Sequence, residues 1–321
     1  YYAPTLVVST NGIVVTGDGF DSVLDFIGTW RRAGDGKALR SGGLLFSGNI
    51  TNVVLERLTF DGGLTNGYRT AGTFPASASD GDGWDLSHKG VAITAGLDYV
   101  DNNFVKGCLF RGWRGEVVYN GSSRSWKMVF EDCDWFDNNA SCINVGQAAQ
   151  VNRCRFMQSR MITEFAQMKN QNGAAFVQCS ASNLYSGITV AATDIDAIAP
   201  LLISGCTFQG ITNAALYMGN ATKVMIRDCM FVNNVRGFQG YSSGIQGTSP
   251  SLEIDLVDNT FISNSYAGIQ LVGAFRRAVV KGNLIDGCGF GMYYYGSYTN
   301  VLIEGNTFIN CDALQDRKSV V

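Results

Sequence analysis

Histidine is almost missing from this chain. His88 is the one copy in 321 residues, which nearly removes histidine-built zinc sites, and a Ser–His–Asp triad would have to use His88. Proline is scarce as well, at four residues against 39 glycines, which suggests tight turns rather than Pro-rich linkers. Charged residues make up 16% of the chain and hydrophobic ones 46%, a balance that excludes a disordered or coiled-coil protein. With 24 Lys and Arg against 27 Asp and Glu, the net charge is −3; that argues against nucleic acid as the main partner. Long apolar runs are lacking too. Stretches such as Leu271–Val272 and Ala278–Val280 are broken by Gly or charge within a few residues, so neither a membrane span nor a signal peptide is expected. The chain opens at Tyr1 with no Met and stops at Val321, and is read as a middle piece of something longer.

What the sequence has instead is a repeat. A strand-like run, a polar pair, Cys or Asn, one variable residue and an apolar residue recur together. The copies are Lys106–Phe110, Glu131–Trp135, Asn152–Phe156, Ser204–Phe208, Arg227–Phe231, Val257–Phe261, Lys281–Ile285 and Glu304–Phe308. Weaker copies stand at Glu56–Phe60 and Gln178–Ala181. From Cys108 onward the key position returns every 21 to 30 residues. A second block, at Ser186–Val190, Ala214–Met218, Ala267–Leu271 and Phe290–Tyr294, alternates apolar and variable residues, the period of a strand with one buried face. Short strands at this spacing without helical periodicity predict an all-β solenoid of about 10–12 coils, a single domain over residues 1–321.

The coil NVVLERLTFDGG at Asn52–Gly63 is similar to the usual coil of the right-handed parallel β-helices of the pectate-lyase-like superfamily, and the repeat from about residue 45 to 312 resembles that family throughout. The resemblance implies a single-stranded right-handed parallel β-helix. It marks no catalytic residues, because the paired Asp and Gly-His-Gly turn of the galacturonan hydrolases are lacking here, as is any recognisable lyase set of calcium ligands with an Arg or Lys base.

Six of the nine cysteines (Cys108, Cys133, Cys154, Cys179, Cys206 and Cys229) share the key position and hand over to Asn259, Asn283 and Asn306. Cys suits an inward site beside a turn as a small hydrophobe, and Asn because its amide can bond the Asn above and below. Metal-ligand spacing is absent, and Cys on adjacent coils are poorly placed for a disulfide dihedral. Free buried thiols in this number fit assembly in a reducing cytosol better than secretion. Just before the key position, Val129, Leu202, Met225, Leu256, Val279 and Leu302 are expected to face outward as an apolar stripe, beside a charged row of Glu131, Arg153, Arg227, Lys281 and Glu304. The stripe is either covered by the chain's own loops or missing termini, or it is a lengthwise interface. Phage tailspikes associate three-fold in this way, and that resemblance implies a homotrimer located in a virion, with secretion as the alternative.

The repeat is interrupted from about residue 61 to 91, a segment holding Tyr68, Arg69, Asp80, Asp82, Trp84, Asp85, His88 and Lys89. Long loops on rigid scaffolds tend to carry function. Clustered carboxylates raise one another's pKa, so Asp82 and Asp85 can divide the roles of general acid and of base or nucleophile. Glu116, Asp134 and Asp137 are further catalytic candidates on nearby coils. Trp84, Tyr68, Arg69 and His88 are candidates for holding a sugar. The same loop also reads as a plain solvated turn or as a calcium loop using Asp80, Asp82 and Asp85; no other metal or cofactor is expected. On the second block Tyr217, Gln239, Gln270 and Tyr293 face outward, flanked by Tyr241 and Tyr295. Such a row suits an extended glycan, or else stabilises the sheet through stacking.

Together these features lead to the β-helix body of a phage tailspike that binds and hydrolyses a bacterial surface polysaccharide with an Asp/Glu pair. The alternatives are a lyase acting on a uronic-acid glycan, with His88, Lys89 or Tyr68 as base, and a non-catalytic glycan-binding spike or shaft.

Overall fold

Each coil is three strands joined through corners, and the corners account for the repeat. The computed structural model describes residues 6–26, 43–62, 92–95, 100–113, 117–120, 126–138, 141–145, 148–157, 164–168, 173–190, 199–219, 223–242, 252–312 and 315–316. The chain divides into two compact units, Tyr1–Ala166 and Gln167–Val321. In both, strands pair in parallel with their copies one coil away, and the fold is the right-handed parallel β-helix. Among the described residues no helix is long and apolar enough to cross a membrane.

One coil of the second unit shows the plan. A first strand, Lys223–Arg227, ends at Asp228, which takes a left-handed φ of 56° and turns the chain at Cys229. A short second strand, Met230–Val232, ends at Asn233 (φ 54°) and Asn234. The third strand is Arg236–Ser242. The first corner repeats at Arg57, Gly107, Asp132 and Arg153 in the first unit, and at Gln178, Gly205, Asp258, Gly282 and Gly305 in the second, all with positive φ. Short polar residues and Gly tolerate that region best, which is why a polar pair precedes every ladder residue. Among the described residues, short second strands number five in the first unit, from Val23–Asp25 to Arg155–Met157, and six in the second, from Ser180–Ser182 to Thr307–Ile309. In the last two complete coils the third strand runs into the next first strand without a break, as Ala267–Lys281 and Phe290–Glu304.

Because each coil lies on its copy, like side chains stack. In the first unit Phe60, Phe110, Trp135 and Phe156 form a buried file with ring centroids 4.9, 5.0 and 4.6 Å apart. Phe208, Phe231 and Phe261 do the same in the second at 5.3 and 4.6 Å. Each such pair adds about 0.5–1.5 kcal/mol beyond the area it buries.

The Cys–Asn ladder is a hydrogen-bonded column rather than a packing accident. Asn259 donates from Nδ2 to the Ile226 carbonyl (3.0 Å) and from its backbone N–H to Asn283 Oδ1 (2.9 Å). Asn283 repeats this with the Leu256 carbonyl (3.0 Å) and Asn306 Oδ1 (2.9 Å). Cysteine makes the same two bonds in weaker form: Cys229 Sγ donates to the Ile203 carbonyl (3.6 Å) and accepts from the Cys206 N–H (3.4 Å). All nine cysteines are free thiols, and all but Cys311 are buried. A second ladder, not anticipated from the sequence, follows the second corner at Asn138 in the first unit and at Asn234, Asn264, Cys288 and Cys311 in the second.

The outward column of the first strand needs one correction. Met225 pairs with Asp255, and Ile226 pairs with Leu256, so Leu256 faces inward and is fully buried. The strand Leu252–Val257 alternates Leu, Ile and Leu against Glu, Asp and Val; burying the three large aliphatics fixes the phase. In the second unit the outward column is therefore Ala175, Leu202, Met225, Asp255, Val279 and Leu302. In the first it is Val14, Val54, Phe104, Val129 and Gln150, with Phe104 39% exposed. Arg153 is a corner residue, not a member of the charged row, and its guanidinium reaches Glu131 (2.5 Å) and Asp132 (2.8 Å).

Candidate functional site

The third strands of the second unit bring the expected polar and aromatic row together. Register places Thr189, Tyr217, Gln239, Gln270 and Tyr293 in a single outward column. Two residues further along the strands, Gly219, Tyr241, Val272 and Tyr295 form a parallel column. Gly219 is there for a reason: a Cβ would come within 2.9 Å of the Tyr217 ring, so the missing side chain leaves that ring its room. Burial, then the nearby Tyr241, pushes the Tyr217 phenol above its ordinary range. Tyr241 and Tyr295 stand out at 40% and 52% exposure, exposed rings beside a half-buried Gln239 and a buried Gln270.

At the start of the same strands lies a second group that the sequence reading passed over. Arg236 occupies a column whose other members are Ala214, Ala267 and Phe290. A lone cation in an apolar column was the signal that could have found it. Its guanidinium sits 4.7 Å from the centroid of the Tyr266 ring and donates to Asn213 Oδ1 at 3.4 Å.

Among the catalytic candidates, Asp134 stands on the outward side of the short sheet yet is only 6% exposed. Arg155, its register partner on the next coil, grips it with two bonds of 2.7 and 2.5 Å, and the Arg155 pKa is raised by this carboxylate. Both oxygens of this carboxylate are thus engaged by one guanidinium, which leaves the fork rather than a substrate as their partner. Asp137 turns the second corner with φ 57°. The remaining candidates Tyr68, Arg69, Asp80, Asp82, Trp84, Asp85, His88 and Glu116 lie outside the described residues. Among the described residues no three His, Cys, Asp or Glu side chains converge as a metal-ligand set.

The chain is similar in fold to the catalytic domain of a GH87 α-1,3-glucanase in complex with nigerose, with a TM-score of 0.62 at 11% identity over 94% of this chain and 62% of that one. The same domain in complex with tetrasaccharides gives 0.60 at 11% identity, over 95% and 62%. An exopolygalacturonase from Thermotoga maritima gives 0.46 at 8%, over 94% and 81%. The chain thus spans under two thirds of the glucanase domain's length. No curated protein matches it in sequence. A family model does, over residues 146–318, and this is more than half the chain: the protein belongs to the family described as periplasmic copper-binding protein (NosD).

Proposed function

We propose that the chain binds an extended polysaccharide along the third-strand face of its second unit, as the β-helix body of a tailspike-type protein that hydrolyses a bacterial surface glycan. The observation that carries the reading is the double column Tyr217, Gln239, Gln270, Tyr293 and Tyr241, Val272, Tyr295. Exposed rings stack on the apolar faces of sugars while amides meet their hydroxyls, and strands spaced about 4.8 Å apart repeat both along the solenoid axis. The likeness of the backbone to a glucanase domain supports the substrate class. Hydrolysis is assigned to Asp82 and Asp85, and the virion location and homotrimer belong to the same proposal.

Copper has no place in it. The ladder thiols already donate to carbonyls and accept from N–H groups, and burial holds the Cys142 thiol well above its ordinary range. Copper asks for accessible thiolate, thioether or imidazole donors, and among the described residues no three His, Cys, Asp or Glu side chains converge.

The test is glycan binding followed by tyrosine fluorescence. Tyr241→Ala and Tyr295→Ala together should weaken binding by roughly tenfold or more while leaving the melting temperature unchanged, because both rings are exposed. Unchanged affinity would remove this face from consideration; a large loss of stability would mean that the rings only brace the sheet. Asp82→Asn with Asp85→Asn should stop chain cleavage and keep binding.

A further inference from the structure

Among the described residues of the second unit, two polar groups are buried without partners, and both lie on the third-strand face. One is Arg236 Nε; the other is Gln270 Oε1. Gln270 is 93% buried (7% exposed), and a buried acceptor left unpaired is a cost that native proteins seldom tolerate without a use. Among the described residues Arg236 is also a cation without a carboxylate partner. Its guanidinium has a weak bond to Asn213 and the face of Tyr266, and neither neutralises its charge.

The two are joined by an aromatic floor. Tyr266 meets Phe290 edge-on at 5.6 Å, and Phe290 meets Tyr293 at 5.9 Å. Arg236 pairs with Ala267, and Gln270 stands three residues further along that strand, about 10 Å away at the rise of a β-strand. Reading outward from these atoms, a ligand that satisfies the site must bring an anionic oxygen to Arg236, an apolar ring face to Phe290 and Tyr293, and a hydroxyl donor to Gln270 Oε1. Gln239 stands one coil away in the same column.

We propose that this surface is a subsite for an acidic sugar: Arg236 takes the carboxylate of a uronic-acid residue, and Gln270 accepts a hydroxyl from the adjoining residue. The assignment rests on the polysaccharide-binding reading and adds the charge of the substrate and the residue that selects it. Neutral glucans fill the aromatic floor but leave Arg236 unpaired, so they bind more weakly.

The experiment uses the whole chain and a panel of immobilised acidic polysaccharides, each paired with its carboxyl-reduced form, together with neutral glucans and free acetate. The expected result is that the polysaccharides retained are acidic and lose roughly tenfold or more in affinity on carboxyl reduction. Arg236→Gln should erase that difference while binding the reduced form as the parent chain does. Gln270→Leu should weaken both forms without lowering the melting temperature, since it removes an unpaired group; this separates the site's role from a folding defect. Acetate should not compete, because a carboxylate alone engages only one end of the site. Retention of neutral and acidic forms alike, or an acid preference that survives Arg236→Gln, would overturn the subsite and leave polysaccharide binding standing. Binding of no member of the panel would overturn both.

Discussion

Replacing Asn283 by alanine tests the ladder directly. Its Oδ1 accepts from the Asn259 backbone N–H (2.9 Å) and side chain (3.1 Å), and its Nδ2 donates to the Leu256 carbonyl (3.0 Å) and Asn306 Oδ1 (2.9 Å). Alanine strands the buried Asn259 N–H, worth about 1–3 kcal/mol, and forfeits side-chain bonds of about 0.5–1.5 kcal/mol each. With three such bonds the sum is about 2.5–7.5 kcal/mol. Cysteine at the same place should cost less than half of that, because Cys229 shows a thiol making both the donor and the acceptor bond of the column. Urea unfolding of the three proteins gives the order, and amide exchange at Asn259 gives the place: its N–H should lose protection in the alanine protein and keep most of it in the cysteine protein. Equal costs for alanine and cysteine would refute the equivalence of thiol and amide. A cost below about 0.5 kcal/mol for alanine would refute the ladder as a source of stability.

Light scattering should give three times 34.6 kDa if the outward first-strand columns are subunit interfaces, and Phe104→Lys with Met225→Lys should reduce it to one chain; a single-chain mass for the parent would sink the trimer. Arg153 hydrogen bonds hold the Glu131 and Asp132 carboxyls below their ordinary range. Folded pKa values below the unfolded ones mean that this stabilisation is present above the unfolded carboxylate range and is lost as pH falls through the folded values. Arg153→Met should therefore lower the melting temperature at about pH 6, with the gap closing by about pH 3; a gap that does not change with pH would show that packing, not charge, is responsible. Maleimide labelling of the folded chain should reach Cys311 first, because the other eight thiols are buried; rapid labelling of Cys108 or Cys229 would mean that the ladder opens in the native state.

The fold was legible because stacking writes itself into the sequence: a residue that must lie on its copy returns every 21 to 30 positions. The column Tyr217, Gln239, Gln270, Tyr293 was legible for the same reason. Leu256 was misplaced because its phase was taken by analogy with its neighbours, when the Leu252, Ile254, Leu256 alternation within its own strand had already decided it. The second ladder left a trace in Asn233–Asn234 and Ser263–Asn264, but its cysteine members do not look like asparagines until their bonds are seen. Nothing in a sequence reports that Arg236 Nε and Gln270 Oε1 lack partners, since an unmet bond depends on every neighbour at once. The fork between Arg155 and Asp134 was hidden likewise, being a contact across 21 residues of chain.

The asparagine column has a direction. Each side-chain amide donates toward the next oxygen in the same sense, from Asn259 to Asn283 to Asn306, so the amide dipoles lie head to tail along the axis, with Asn259 and Asn283 buried. Every member polarises the others, and bonds in such a chain strengthen one another. The second unit therefore carries a built-in electrical axis made of neutral residues. A substitution at one coil is felt electronically at coils it does not touch, and energies measured one rung at a time will not add up to that of the column.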